Sequence, residues 1–380
     1  MVNSNIDALG IIFPNSYDSM VPELVMERSM ASIPFASRYR LIDFMLSSMV
    51  NCGIDNVSII ARKNYRSLMD HLGSGREWDL ARKKGGLNII PPYSQKGISL
   101  YNGRVEALAN ILGFLKAQKE KYVVMTDCNI AVNFDFSALI EHHIESGADF
   151  TCAYTKREIP RMPADTDMSM ENLFYTFKID DGRVIDLEIN THASGLQNLG
   201  MNIYVCEREL LIEEISTAYI KGLTYFERDF LANQLGKMNV QAYLYEGYVG
   251  YICDLKSYFD ENMKMLQDEN VDALFSGNQI YTKIRDDNPT RYHSCATAKN
   301  VMAADGCIIE GDVENCVLFR GVKIGKGASV KNCVLMQDTV IEDGVTLDYV
   351  ITDKNVRVTE GKELHGTDSF PVYVSKRKIV

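Results

Sequence analysis

Ala8-Leu9-Gly10-Ile11-Ile12-Phe13-Pro14-Asn15-Ser16-Tyr17-Asp18 is the stretch on which the fold class turns. Ala8 to Phe13 reads as the opening strand of an α/β domain. Such a domain, when it binds a nucleotide, usually follows this strand with glycines, whose missing Cβ lets the backbone wrap a phosphate and aim N–H groups at it. Here no glycine occurs from Ile11 to Cys52. The turn instead carries Pro14, which has no N–H, and Asp18, which repels phosphate. The strand is present and the cradle is not.

Outward from this stretch, short apolar runs alternate with amphipathic stretches up to about residue 270, the signature of βαβ units and a mostly parallel sheet. Strands are predicted at Ala8 to Phe13, Asn56 to Ala61, Tyr122 to Met125, Phe150 to Ala153, Asn202 to Val205 and Val240 to Leu244. Three- and four-residue apolar spacing predicts helices over Ser37 to Asn51, Asn64 to Gly73, Arg104 to Gln118, Phe136 to Gly147 and Phe226 to Lys237. Ligands in such sheets sit beyond the carboxyl ends of strands, which puts the cleft at the loops after Phe13, Ala61 and Met125.

The last ninety or so residues change character. Ile324 and Val330, like Ile341 and Leu347, stand six apart among Gly, Asp and Asn, a hexapeptide rhythm that suits a few coils of parallel β-helix. The expected division is an α/β domain over 1–277, a linker over 278–302 that includes Pro289, and a β-helix over 303–380. Hexapeptide acyltransferases share the repeat and use a histidine base, but His293 and His365 both fall outside the best repeats.

Composition limits the function classes. A net charge of −11 without a long basic run argues against nucleic acid as a partner. No apolar stretch approaches the roughly 20 residues that span a bilayer, and Met1 to Asp7 lacks the regions of a signal peptide, so a cytoplasmic protein without a membrane partner is expected. The nine cysteines are dispersed without C-x-x-C spacing and read as small buried hydrophobes in a reducing compartment.

Pro34-Phe35, then Arg38-Tyr39-Arg40-Leu41-Ile42-Asp43-Phe44, Asn51-Cys52-Gly53-Ile54, Trp78-Asp79-Leu80, Tyr101-Asn102-Gly103, Thr126-Asp127 and Ser257-Tyr258 occur in an order that resembles the sugar-1-phosphate nucleotidyltransferases. Among these the chain is most similar to the glucose-1-phosphate adenylyltransferase family. The resemblance implies a Rossmann-like nucleotidyltransferase domain followed by a short left-handed β-helix. In that family a glycine-rich loop follows the first strand, and its absence here resembles the GlgD-type regulatory subunit, companion of a catalytic GlgC-type subunit.

The resemblance also says where charge should be. The family's triphosphate-side lysine falls on Met30, its sugar-phosphate lysine on Ile189 and one of its two Mg²⁺ aspartates on Tyr251; these are degenerate positions. The other aspartate is matched by Asp127, a remnant metal-ligand position whose plainer reading is a strand-end aspartate capping a turn. Asp254, three residues beyond Tyr251, could serve only with a shifted backbone. The family's G-T-A-D-A turn has become Gly103-Arg104-Val105-Glu106-Ala107. If each lost electrostatic contact costs roughly 3 kcal/mol, two remove about four powers of ten in rate. No cofactor is expected, with Mg²⁺ entering only alongside residual activity. Arg28 and Arg40 match arginines that line a phosphorylated-effector site in some relatives, against the alternative that Arg40 forms a structural ion pair with Asp43.

The reading that follows is a non-catalytic or weakly active subunit in a hetero-tetramer with a catalytic GlgC-type adenylyltransferase, modulating ADP-glucose formation for glycogen synthesis. Two others stay open: an active adenylyltransferase using ATP, glucose 1-phosphate and Mg²⁺ through Asp127, and a sugar-phosphate or nucleotide sensor without a catalytic partner.

Overall fold

The computed structural model describes residues 6–92, 101–159, 174–191 and 193–380. Most of the start read for a leader, Met1 to Asn5, lies outside them. Nine strands make the main sheet: β1 Ala8–Phe13, β2 Asn56–Ile60, β3 Gly86–Ile90, β4 Tyr122–Asp127, β5 Phe150–Glu158, β6 Tyr175–Asp180, β7 Arg183–Ile189, β8 Leu196–Glu207 and β9 Val240–Leu244. Their order is β3-β2-β1-β4-β8-β5-β9-β7-β6. The β3-β2-β1-β4 half is parallel, β5 and β9 pair in parallel, and β8 enters antiparallel between β4 and β5.

β1 shows why the sheet is covered on both sides. Leu9, Ile11 and Phe13 enter one core while Ala8 and Ile12 enter the other, and all are buried. Gly10 is needed for contact, since a Cβ there would lie 2.6 Å from Met49 Sδ on the helix Leu41–Asn51. That helix begins four residues later than the apolar spacing predicts. Ala36 and Ser37 hold φ of 47° and 63°, closing a small hairpin in which Pro34–Phe35 pairs with Tyr39–Arg40. Asp43 then accepts the Arg40 backbone N–H at 2.9 Å and caps the helix start.

The C-terminal part is a parallel β-helix of the hexapeptide type. Pairings such as Val313↔Val330 and Val330↔Leu347 stack coils seventeen residues apart, and Ile324, Val330, Ile341 and Leu347 all point inward. Asn300, Asn315 and Asn332 turn one corner with φ near +50°, a conformation asparagine tolerates, and their side chains form a hydrogen-bonded ladder ending on Asp348. The segment expected as linker, 278–302, departs from that expectation. Arg291–Tyr292 and Thr297–Ala303 pair with Ile308–Ile309 and Asp312–Leu318, so coil stacking starts inside it. Spacing hid this coil because Thr297 to Asn300 are exposed and carry no apolar periodicity.

A third core joins the two parts. Met30, Ile33, Phe35 and Tyr258 pack with Val317, Phe319, Val334 and Met336 of the β-helix. The segment that follows β1 therefore belongs to the interface between sheet and β-helix.

Candidate functional site

Register places Asp127, the last residue of β4, beside Phe13, the last residue of β1. The turn after Phe13 therefore lies over Asp127, and Ser16 Oγ donates to Asp127 Oδ1 at 2.7 Å. Asp18 does not face the cleft as a free anion; its carboxylate accepts from Met30 N–H and from Asn15 Nδ2, both at 2.8 Å. Burial pushes this carboxyl up to about 6, opposed by those two donors. The turn is held by side chains where a phosphate cradle is held by glycine backbone.

On the opposite wall, Gly103 packs so closely on Thr224 that a Cβ would lie 2.2 Å from its carbonyl oxygen. This contact starts the helix Arg104–Asn110 and aims Arg104 inward. Arg104 Nη2 lies 2.5 Å from Asp127 Oδ2, and Nη1 binds Glu227 Oε1. Tyr204 also donates to Glu227, at 3.0 Å, and Asn202 Nδ2 donates to Tyr17 Oη at 2.6 Å. The guanidinium sits 5.1 Å from the Phe13 ring centroid and 5.6 Å from that of Tyr204. Burial raises Asp127 while Arg104 and Ser16 oppose the shift; burial works against charge on Arg104 too, but Asp127 keeps it above the ordinary range. A cavity of about 50 Å³ remains in front of this network, against the roughly 300 Å³ at which small-molecule pockets begin.

The remaining degenerate positions have taken structural work. Met30 is 1% exposed in the shared core. Tyr251 is buried against Phe174 and lies under Arg157, whose guanidinium is 5.6 Å from its ring. Ile189 ends β7, half-buried, opposite Tyr175. Asp254 cannot stand in for a ligand, because it caps the helix Leu255–Lys264 through Ser257 N–H at 2.6 Å. The residues present do not fit a Mg²⁺ site: Asp127 has both oxygens engaged, and Tyr251 supplies no hard anionic ligand. Among the described residues, no three His, Cys, Asp or Glu side chains are grouped to hold a metal ion.

The two arginines matched to effector residues separate. Arg28, 2% exposed, pairs through Nη2 with Asp353 Oδ1 at 2.5 Å and stitches the sheet domain to the β-helix. It is not among the residues that line the cavity beside Arg40. The proposed ion pair of Arg40 with Asp43 is corrected. Asp43 Oδ1 meets His71 Nε2 at 2.6 Å, whereas the Arg40 guanidinium donates to the Ser67 carbonyl at 2.7 Å. Arg40, Arg38, Lys283, Arg285, Arg320 and Lys354 surround a cavity of about 170 Å³ at the seam between sheet and β-helix, with Asp70 in its wall. Burial lowers Arg40 to about 10. Burial, Arg40 and Arg28 together hold Lys354 well below the usual lysine range.

Sequence reading missed Arg104 as a charge. The signal was a guanidinium gained in a turn of small residues while its distant partner Asp127 stayed acidic. Nothing local marked Glu227, or the convergence of Arg320 and Lys354 from separate coils.

Fold and cleft together define a nucleotidyltransferase-type α/β domain carrying a hexapeptide β-helix. Residues 22–162 match the family described as nucleotidyl transferase, and residues 284–370 match the GlmU-like, C-terminal hexapeptide family. The glycogen biosynthesis protein GlgD of Bacillus subtilis (strain 168) is 33% identical over 374 residues, covering 98% of this chain and 96% of its own. GlgD of Geobacillus stearothermophilus is 37% identical over 328 residues, 85% of this chain and 82% of its own. The glucose-1-phosphate adenylyltransferase of Bacillus mycoides (strain KBAB4) is 28% identical over 370 residues, 90% of this chain and 96% of its own. This chain belongs to the GlgD family. Among the described residues no helix is long and apolar enough to cross a membrane.

Proposed function

We propose that this chain is a non-catalytic or weakly active subunit that associates with a catalytic glucose-1-phosphate adenylyltransferase chain in a hetero-tetramer and modulates ADP-glucose formation for glycogen synthesis in the cytoplasm. The observation that carries the reading is the Ser16–Asp127–Arg104–Glu227 network, which fills the ground where triphosphate and metal would be held. Transfer of a nucleotidyl group needs positioned anions and a neutralising cation free to follow them. A guanidinium locked between two carboxylates offers neither room nor a free charge. The test is pyrophosphate release from ATP and glucose 1-phosphate by the purified chain, alone and mixed with a catalytic homologue. Turnover by the chain alone within tenfold of the homologue refutes the reading; changed turnover of the homologue in the mixture supports modulation.

The cationic cavity favours an added role in reading a phosphorylated small molecule. Several positive groups brought together raise one another's cost, and an anion relieves it. Arg40, which lines that cavity, is the favoured candidate, and the buried pairing of Arg28 with Asp353 favours a structural role for Arg28.

A further inference from the structure

Asp127 and Glu227 bind the two terminal nitrogens of one guanidinium. Each is also held from a second direction, Asp127 Oδ1 by the Ser16 hydroxyl at 2.7 Å and Glu227 Oε1 by the Tyr204 hydroxyl at 3.0 Å. Exposure of the three charged side chains is 9% for Arg104, 1% for Asp127 and 6% for Glu227, so solvent screens little of this charge. Phe13 and Tyr204 present ring faces to the guanidinium, and among the described residues its ionic partners are the two carboxylates. A small divalent ion needs about six oxygen ligands close around it. To gain Asp127 it would have to expel a cation tethered to the same chain, whose effective concentration far exceeds that of a free ion.

We infer that the Arg104 side chain is this chain's built-in replacement for a divalent cation: while it is present the cleft takes no Mg²⁺ or Mn²⁺, and when it is removed Asp127 and Glu227 take one. The inference deepens the reading of the cleft proposed above. Its test reads metal binding and melting, not turnover, so the two can fail separately.

The full chain is titrated with MnCl₂ and followed by Mn²⁺ electron paramagnetic resonance, with thermal melts in MnCl₂ and in EDTA. Wild type should bind no Mn²⁺ that depends on Asp127 and should melt at the same temperature in both. Arg104→Ala should melt lower in EDTA, bind one Mn²⁺ per chain at least about tenfold more tightly than Arg104→Ala combined with Asp127→Asn, and recover most of its lost melting temperature in MnCl₂; an ion that binds only the folded state stabilises it by mass action. Arg104→Ala combined with Asp127→Asn should show neither binding nor recovery. Asp127-dependent Mn²⁺ binding by wild type overturns the inference, as does an Arg104→Ala variant that folds and binds none. If Arg104→Ala is recovered unfolded, refolding that succeeds in MnCl₂ and fails in EDTA supports it, and failure in both overturns it.

Discussion

Replacing Arg28 by alanine separates a structural role from a ligand-reading one. Its guanidinium meets Asp353 at 2.5 Å, with both side chains under 5% exposed, and Asp353 Oδ2 lies 2.8 Å from Tyr373 Oη. Removing one member of a buried pair leaves the other charge uncompensated, which costs about 3–5 kcal/mol. Asp353 keeps Tyr373 and also accepts the Lys354 N–H at 2.6 Å, so the lower end, about 3 kcal/mol, applies here. For 380 residues, at roughly 2.1 cal/mol/K of unfolding entropy per residue, each kcal/mol moves the melting temperature by roughly 1.3 °C, so it should fall by about 4 °C. Arg28→Met with Asp353→Leu should lose much less, because no buried charge is stranded. The assay is a melt of the two single variants and the double, with limited proteolysis to detect loosening between sheet and β-helix. A single variant that melts like wild type while losing its response to phosphate refutes the structural reasoning and returns Arg28 to the effector site.

Three other outcomes are expected. Met30→Lys, which puts in the charge that the family resemblance implies at this position, buries an ammonium in the shared core and should cost roughly 4 kcal/mol or more with no gain in pyrophosphate release; a stable, active variant would contradict this. Asp18, raised by burial from its ordinary value to about 6, binds its proton more tightly folded than unfolded, so its contribution is present below about pH 4 and is lost as pH rises through 6; relative to wild type, Asp18→Asn should gain up to about 3 kcal/mol in urea unfolding between pH 4 and pH 7, and a flat difference would contradict it. Inorganic phosphate should raise the wild-type melting temperature through the cationic cavity, and Arg40→Ala or Arg320→Ala should weaken that binding about tenfold, as expected for one charge-assisted hydrogen bond; equal shifts in all three would remove the cavity from consideration.

What could be read from sequence was what local pattern encodes. β1 and β9 have the predicted limits because apolar runs end at proline or polar residues, and the six-residue spacing of Ile324 with Val330 finds the coil interior. The β6–β7 hairpin was not identified, although Asp181-Gly182 marks its turn with φ of 46° and 76°; its polar faces gave no strong alternation. The helices Arg208–Ile220 and Leu255–Lys264 likewise went unassigned. At the site, the resemblance implied that charges are missing from Met30, Ile189 and Tyr251, and nothing in the sequence said what stands in their place. Arg104 meets Asp127 across 23 residues and Glu227 across 123, and only the folded sheet brings those partners together.

The chain between Pro14 and Ser32 is anchored at several points along its length: Asn15 and Asp18 to each other, Asp18 to Met30, and Arg28 to the β-helix. Mechanically it is a strut, and the two bodies it joins are also fused by an apolar core. Swinging one against the other would break a buried ion pair and open that core together, so among the described residues this seam is held where hinge closure needs a few loosely held residues. A load applied at the seam therefore meets packed side chains on both sides, and the sheet and β-helix share it as one piece.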